Sequence, residues 1–103
     1  MKKVFVMYQL KPGVDIEKYS EWSRTMDQRI TPTQDGCIRF EVYAIEGAEE
    51  GQPRYQVIED IEVESWEAWQ KTVGGDGMKP IVESFPNFVD VDTVHAIYGR
   101  RIV

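Results

Sequence analysis

The chain has 103 residues, with 12 Lys and Arg against 18 Asp and Glu and a formal net charge of −6. That length supports one domain with one core over residues 1–103, and a hydrophobic content of 42% sets it apart from disordered chains. The acidic balance and scattered cations argue against nucleic acid, which needs a basic patch, and against an anionic membrane surface. No run approaches the roughly 20 apolar residues of a membrane span, and the apolar start, Val4 to Tyr8, is too short for a secretion signal. A soluble cytoplasmic protein is expected. Cys37 is the single cysteine, so no intrachain disulfide can form.

Lys2 to Leu10 is apolar and free of Gly and Pro, which predicts a strand, and its near-continuous apolarity predicts burial on both faces. Lys11-Pro12-Gly13 is a turn, and Asp15 is an N-cap for the helix that follows. Ile16, Tyr19, Ser23, Met26 and Ile30 recur at helical spacing, with Trp22 widening the stripe. Glu17, Lys18, Glu21, Arg24, Asp27 and Gln28 form the expected wet side. Pro32 ends the helix.

Cys37 to Ile45 alternates, with Ile38, Phe40, Val42 and Ala44 on one face and Arg39, Glu41 and Tyr43 on the other. A polar loop leads to a third strand, Arg54 to Val63, which places Tyr55, Val57, Glu59 and Ile61 together. Ser65 caps a second helix, Trp66 to Val73. Gly74-Gly75-Asp76-Gly77 breaks it, a short helix spans Met78 to Phe85, and the last strand runs from about Asp92 to Ile102.

The order βαββαβ predicts a ferredoxin-like α+β fold: a four-stranded antiparallel sheet in spatial order 4-1-3-2 with both helices on one face. The opposite face then lacks cover within the chain. A two-fold homodimer closing into a dimeric α/β barrel is the expected solution, with Arg100 to Val103 extending over the partner.

Leu10-Lys11-Pro12-Gly13-Val14-Asp15, followed by Tyr19 and Trp22, is the first of three segments that resemble one family. Pro53-x-Tyr55 with Val57-Ile58-Glu59-x-Ile61-Glu62-Val63 is the second, and Phe85-x-Asn87-Phe88-Val89-Asp90 is the third. Together, and over essentially the whole chain, they resemble the RedY-like proteins, small dimeric α/β-barrel proteins of prodiginine pigment biosynthesis. The resemblance implies a setting in tripyrrole assembly and the handling of a bipyrrole intermediate. It supplies no catalytic motif, so the candidate residues come from this sequence alone.

His95 is the only histidine, and histidine is the side-chain type that changes charge near neutrality. In a 4-1-3-2 sheet it falls beside the end of the first strand, near Tyr8, with Tyr55 approaching from the other side. His95, Tyr8 and Glu59 are therefore the catalytic candidates, as proton shuttle and assisting groups. Glu59 is flanked by Val57 and Ile61, and a carboxyl on an apolar face has a raised pKa. An ion pair with Arg39 or Arg54 is the plainer account of it. Tyr55, Arg39, Tyr43 and Trp22 are ligand-binding candidates, although cross-strand charge pairing explains Arg39 and core packing explains Trp22. No glycine-rich phosphate motif and no paired metal-ligand motif is present, so no cofactor and no metal are expected. The expected function is an accessory protein of prodigiosin-type biosynthesis that binds a small aromatic or pyrrolic molecule. A cofactor-independent oxygenase, and a carrier or chaperone for another pathway enzyme, are the alternatives.

Overall fold

A computed structural model describes residues 1–103. Its strands are β1 (Lys2–Leu10), β2 (Cys37–Ala44), β3 (Val57–Val63) and β4 (Val89–Arg100). Helix α1 (Ile16–Trp22) runs on through a π-helical turn (Ser23–Asp27), the single turn α2 (Gln28–Ile30) and a 3₁₀ turn (Thr31–Thr33). Helix α3 (Trp66–Val73) and helix α4 (Lys79–Ser84) complete the helical layer. The sheet is antiparallel throughout in the order β2-β3-β1-β4, as the βαββαβ pattern requires.

The starts of the two main helices follow from their caps. Asp15 accepts the Lys18 N–H at 2.9 Å and Ser65 accepts the Ala68 N–H at 3.0 Å, each satisfying one of the orphan donors of a first turn. Gly36 sits at φ +90° where β2 begins, and a Cβ there would lie 2.7 Å from Thr72 Oγ1. Conformation and space both demand glycine at this junction of β2 with α3.

Even-numbered residues of β1 face the helices. Val4, Tyr8 and Leu10 are buried there, whereas Phe5 and Met7 are only half-buried. Burial of β1 on both faces, expected from its composition, is thus corrected: the helices cover one side alone. The dimeric α/β barrel is corrected as well. The sheet is open, with β2 and β4 as unpaired edges kept apart by β3 and β1. A closed barrel needs its edge strands to meet, and about eight strands are needed to enclose a filled interior.

Two irregularities set the edges. The register shifts between Cys37 and Arg39, which throws Ile38 out of the alternation and leaves it exposed. In β4 the register jumps from Met7↔His95 to Gln9↔Asp90, so Tyr8 alone stands opposite Val91 to Val94. Thr93 Oγ1 fills the gap in the ladder by accepting the Gln9 N–H at 2.9 Å. A bulge of this kind bends its strand and re-aims side chains.

Apolar packing falls into two clusters. Tyr8, Leu10, Tyr19, Trp22, Val57, Met78, Ile81 and Val89 form one, and Val4, Phe40, Ile61, Val63 and Trp69 form the other. No helix is long and apolar enough to cross a membrane.

Candidate functional site

Buried polar side chains gather between the helices and the sheet. Tyr19, Ser23, Asp27 and Thr31 are all buried, with Asp27 only 3% exposed. They recur every four residues, although four residues of α-helix overshoot a turn by about 40°. A regular helix would rotate this stripe off the sheet within three steps. The wider π-helical turn at Ser23–Asp27 takes the rotation back and keeps all four inward. Asp27, expected on the wet side, is therefore a buried residue. A strict 3.6-residue wheel hides it, and the signal available in the sequence was the four-residue recurrence of polar residues ending in Thr31-Pro32.

The sheet contributes Glu59, 6% exposed, from the helix-facing side of β3 between Val57 and Ile61. Tyr8 on neighbouring β1 donates its hydroxyl to Glu59 Oε2 at 2.5 Å, and the same hydroxyl lies 2.5 Å from that of Tyr19. Thr31 donates to Asp27 Oδ1 at 2.6 Å. No buried side-chain nitrogen or oxygen is left without a partner, and neither buried carboxyl is paired with a cation.

Electrostatics follow from that missing cation. Burial, then the nearby Asp27 charge, push Glu59 up from 4.5 to about 8, against the opposing hydrogen bond from Tyr8. Burial lifts Asp27 from 3.8 to about 6, against the bond from Thr31. Tyr8 and Tyr19 are both pushed well above the usual phenol range, by burial first and by Glu59 second. Both buried carboxyls are thus held above the ordinary carboxylate range, Glu59 further than Asp27, and carboxyls whose environments push them apart are suited to acid and base roles.

Both carboxyls line a cleft of about 380 Å³, within the size range of small-molecule sites. Its walls are Val6 and Phe40 from the sheet, Trp69 from α3, Ile81 from α4, Phe85, and Val94 from the β4 bulge. The oxygen-bearing side chains on those walls are Asp27, Thr31 and Glu59. The arrangement is a largely apolar cleft with two buried carboxyls on its walls.

The other residues singled out from the sequence lie elsewhere. His95 stands in register with Met7 on the uncovered sheet face and is exposed, while Tyr8 faces the helices. The expected His95–Tyr8 corner is corrected, because odd and even residues of β1 point to opposite faces. Arg39 pairs with Glu41 at 2.7 Å within its own strand, and Tyr43 donates to the same carboxyl at 3.2 Å, both on the uncovered face. Tyr55 precedes β3, half-buried beneath Arg54, whose guanidinium lies 5.6 Å from the ring centre. Trp22 is buried, donates to Ser84 Oγ at 2.9 Å and stacks on Phe88. Of the seven, Tyr8 and Glu59 come together.

A family model described as REDY-like protein HapK matches residues 2–102. The chain belongs to the REDY-like HapK family. Its backbone matches the crystal structure of HapK from Hahella chejuensis with a TM-score of 0.77 at 16% identity, covering 99% of this chain and 93% of that one. An ethyl tert-butyl ether d (ethd) family protein from Bacillus halodurans matches with a TM-score of 0.77 at 18% identity, covering 99% of each chain. The protein At3g17210 from Arabidopsis thaliana matches with a TM-score of 0.80 at 18% identity, covering 100% of this chain and 97% of that one. At such identities the likeness of this REDY-like chain to all three is a likeness of fold. No curated protein matches the chain.

Proposed function

We propose that this protein is an accessory factor of prodiginine-type pigment biosynthesis that binds a flat bipyrrole intermediate in the cleft between sheet and helices. Membership of the REDY-like family supports the pathway setting. The observation that carries the reading is the presence of both Glu59 and Asp27 on the walls of one cleft with Phe40, Trp69 and Phe85. A pyrrole N–H suits Asp27 as a carboxylate, and a carbonyl or hydroxyl oxygen on the ring system suits Glu59 as a neutral acid. Any chemistry is proton transfer between these groups and the ligand. The uncovered sheet face, with half-buried Phe5, Met7 and Ile58 beside exposed Ile97, supports a homodimer through that surface.

Titration with a bipyrrole carbaldehyde, read from Trp69 fluorescence in a Trp22→Phe, Trp66→Phe background, tests the proposal. Saturable binding that weakens at least about tenfold in Asp27→Asn is expected. Absence of binding at any soluble concentration would sink it. Turnover of the bound aldehyde marks an enzyme, and binding without turnover marks a carrier.

A further inference from the structure

The Tyr8 and Tyr19 hydroxyls do not end the hydrogen-bonded chain that begins at Glu59. Tyr19 lies beside Ser23, and Ser23 Oγ accepts a hydrogen bond from the side chain of exposed Gln28 at 3.0 Å. Tyr19, Ser23 and Gln28 line a second recess of about 290 Å³, together with Ile16, Arg24 and Val42. That recess shares no lining residue with the apolar cleft. A residue on the wall of each opening, Glu59 at the cleft and Tyr19 at the recess, is joined to the other through Tyr8, with the three side-chain oxygens at successive separations of 2.5 Å.

We propose that Tyr8 and Tyr19 are a proton relay that serves Glu59 from this second recess while a ligand fills the cleft. The inference rests on Glu59 being the proton-handling group of the cleft. A bound flat ring would exclude water from the cleft, so a carboxyl that has given up its proton cannot recover one from that side. The balance of the step is simple. Glu59 gives its proton to the ligand and becomes a carboxylate. Tyr8 passes its hydroxyl proton to Glu59 Oε2 as it takes the one from Tyr19, and Tyr19 takes one from water in the recess. The net change is one proton from buffered water to the ligand, with both tyrosines neutral before and after. Reversing every hydrogen bond in the chain gives its second arrangement, in which Glu59 donates to Tyr8 and Tyr8 donates to Tyr19. Tyr19 is thus a positioning and relay group that touches no ligand. The titratable groups facing Glu59 are Tyr8 from β1, Tyr19 from α1 and Asp27 from the π-helical turn. From α3, α4 and β4 the cleft receives Trp69, Val73, Ile81, Val82, Val91 and Val94, none of which ionises.

The relay is tested on the intact protein by NMR with carbon-13 at Glu Cδ and Tyr Cζ, followed from pH 5 to pH 10. In the wild type the Tyr19 Cζ signal is expected to move with the same midpoint as Glu59 Cδ. In Tyr8→Phe it is expected to stop following Glu59, because the chain is cut while the distance to the charge is kept. A Tyr19 signal that stays flat while Glu59 titrates, or that follows Glu59 undiminished in Tyr8→Phe, overturns the relay and leaves the cleft reading standing. A Glu59 that does not titrate in this range overturns both. Should Tyr8→Phe lose its native spectrum, Tyr19→Phe replaces it. There, exchange of the downfield Tyr8–Glu59 proton with water is expected to slow about tenfold or more, and unchanged exchange is the overturning result.

Discussion

Replacing Glu59 with glutamine should stabilise the protein, and increasingly so as the pH rises. The carboxyl titrates at 4.5 in the unfolded chain and at about 8 when folded. Between these values the folded state holds a proton that the unfolded state has lost, so stability falls with rising pH. At about 1.4 kcal/mol per pH unit the loss reaches roughly 3 kcal/mol at pH 7 and roughly 5 kcal/mol by pH 9, beyond which it is complete. Glutamine keeps the volume and an acceptor for the Tyr8 hydroxyl and carries no titrating proton. Glu59→Gln should therefore differ from wild type by under about 1 kcal/mol at pH 5 and gain up to about 5 kcal/mol at pH 9. Urea unfolding followed by tryptophan fluorescence at pH 5, 7 and 9 measures this, with equal m-values as the control for a shared unfolded state. A difference that does not change with pH would refute the reasoning, as would a glutamine variant less stable than wild type at pH 9.

Further outcomes follow from the same geometry. His95→Ala should leave bipyrrole binding within about twofold of wild type, whereas Asp27→Asn weakens it; parallel fluorescence titrations decide. Gly36→Ala forces a Cβ onto Thr72 Oγ1 at a backbone angle of φ +90°, and should cost roughly 1–3 kcal/mol, seen as a lowered Tm. Ile97→Asp places a charge on the uncovered sheet face and should shift sedimentation equilibrium toward monomer; an unchanged mass would remove that face as the dimer contact. The Cys37 thiol, pushed up by burial, should react slowly with a maleimide at neutral pH, at a rate below that of the urea-unfolded chain.

The fold was readable because its elements obey their simple periods. Helix α3 begins at its Ser65 cap and ends before Gly74, as the sequence indicates, and the strand order follows from βαββαβ with right-handed crossovers. The site was only half readable. Glu59 stood out as a carboxylate on an apolar strand face. Asp27 did not, since a uniform helical wheel places it in water and only a local π-helical turn brings it inside. His95 stood out by being unique, yet composition carries no information about strand parity, and one residue of register separates the cleft from the open face. The bulge opposite Tyr8 was hidden for a similar reason: Val91 to Val94 reads as ordinary strand, and the ladder substitute is a single Thr93 hydroxyl.

The π-helical turn also bears on how such a site can come and go. A turn of this kind holds one more residue than the α-helical turn it replaces. Loss of a single residue between Ser23 and Asp27 would restore a regular helix with the same caps and the same sheet beneath it. Asp27 would then follow Ser23 by three residues, about 300° round a regular helix, and would still face the sheet between Ser23 and Thr31. What ejects Asp27 is conversion of the turn to regular α-helix with every residue kept, which carries Asp27 and Thr31 about 40° further round at each four-residue step. The inward carboxyl is therefore compatible with first helices of two lengths, and the extra residue and the π-helical turn go together.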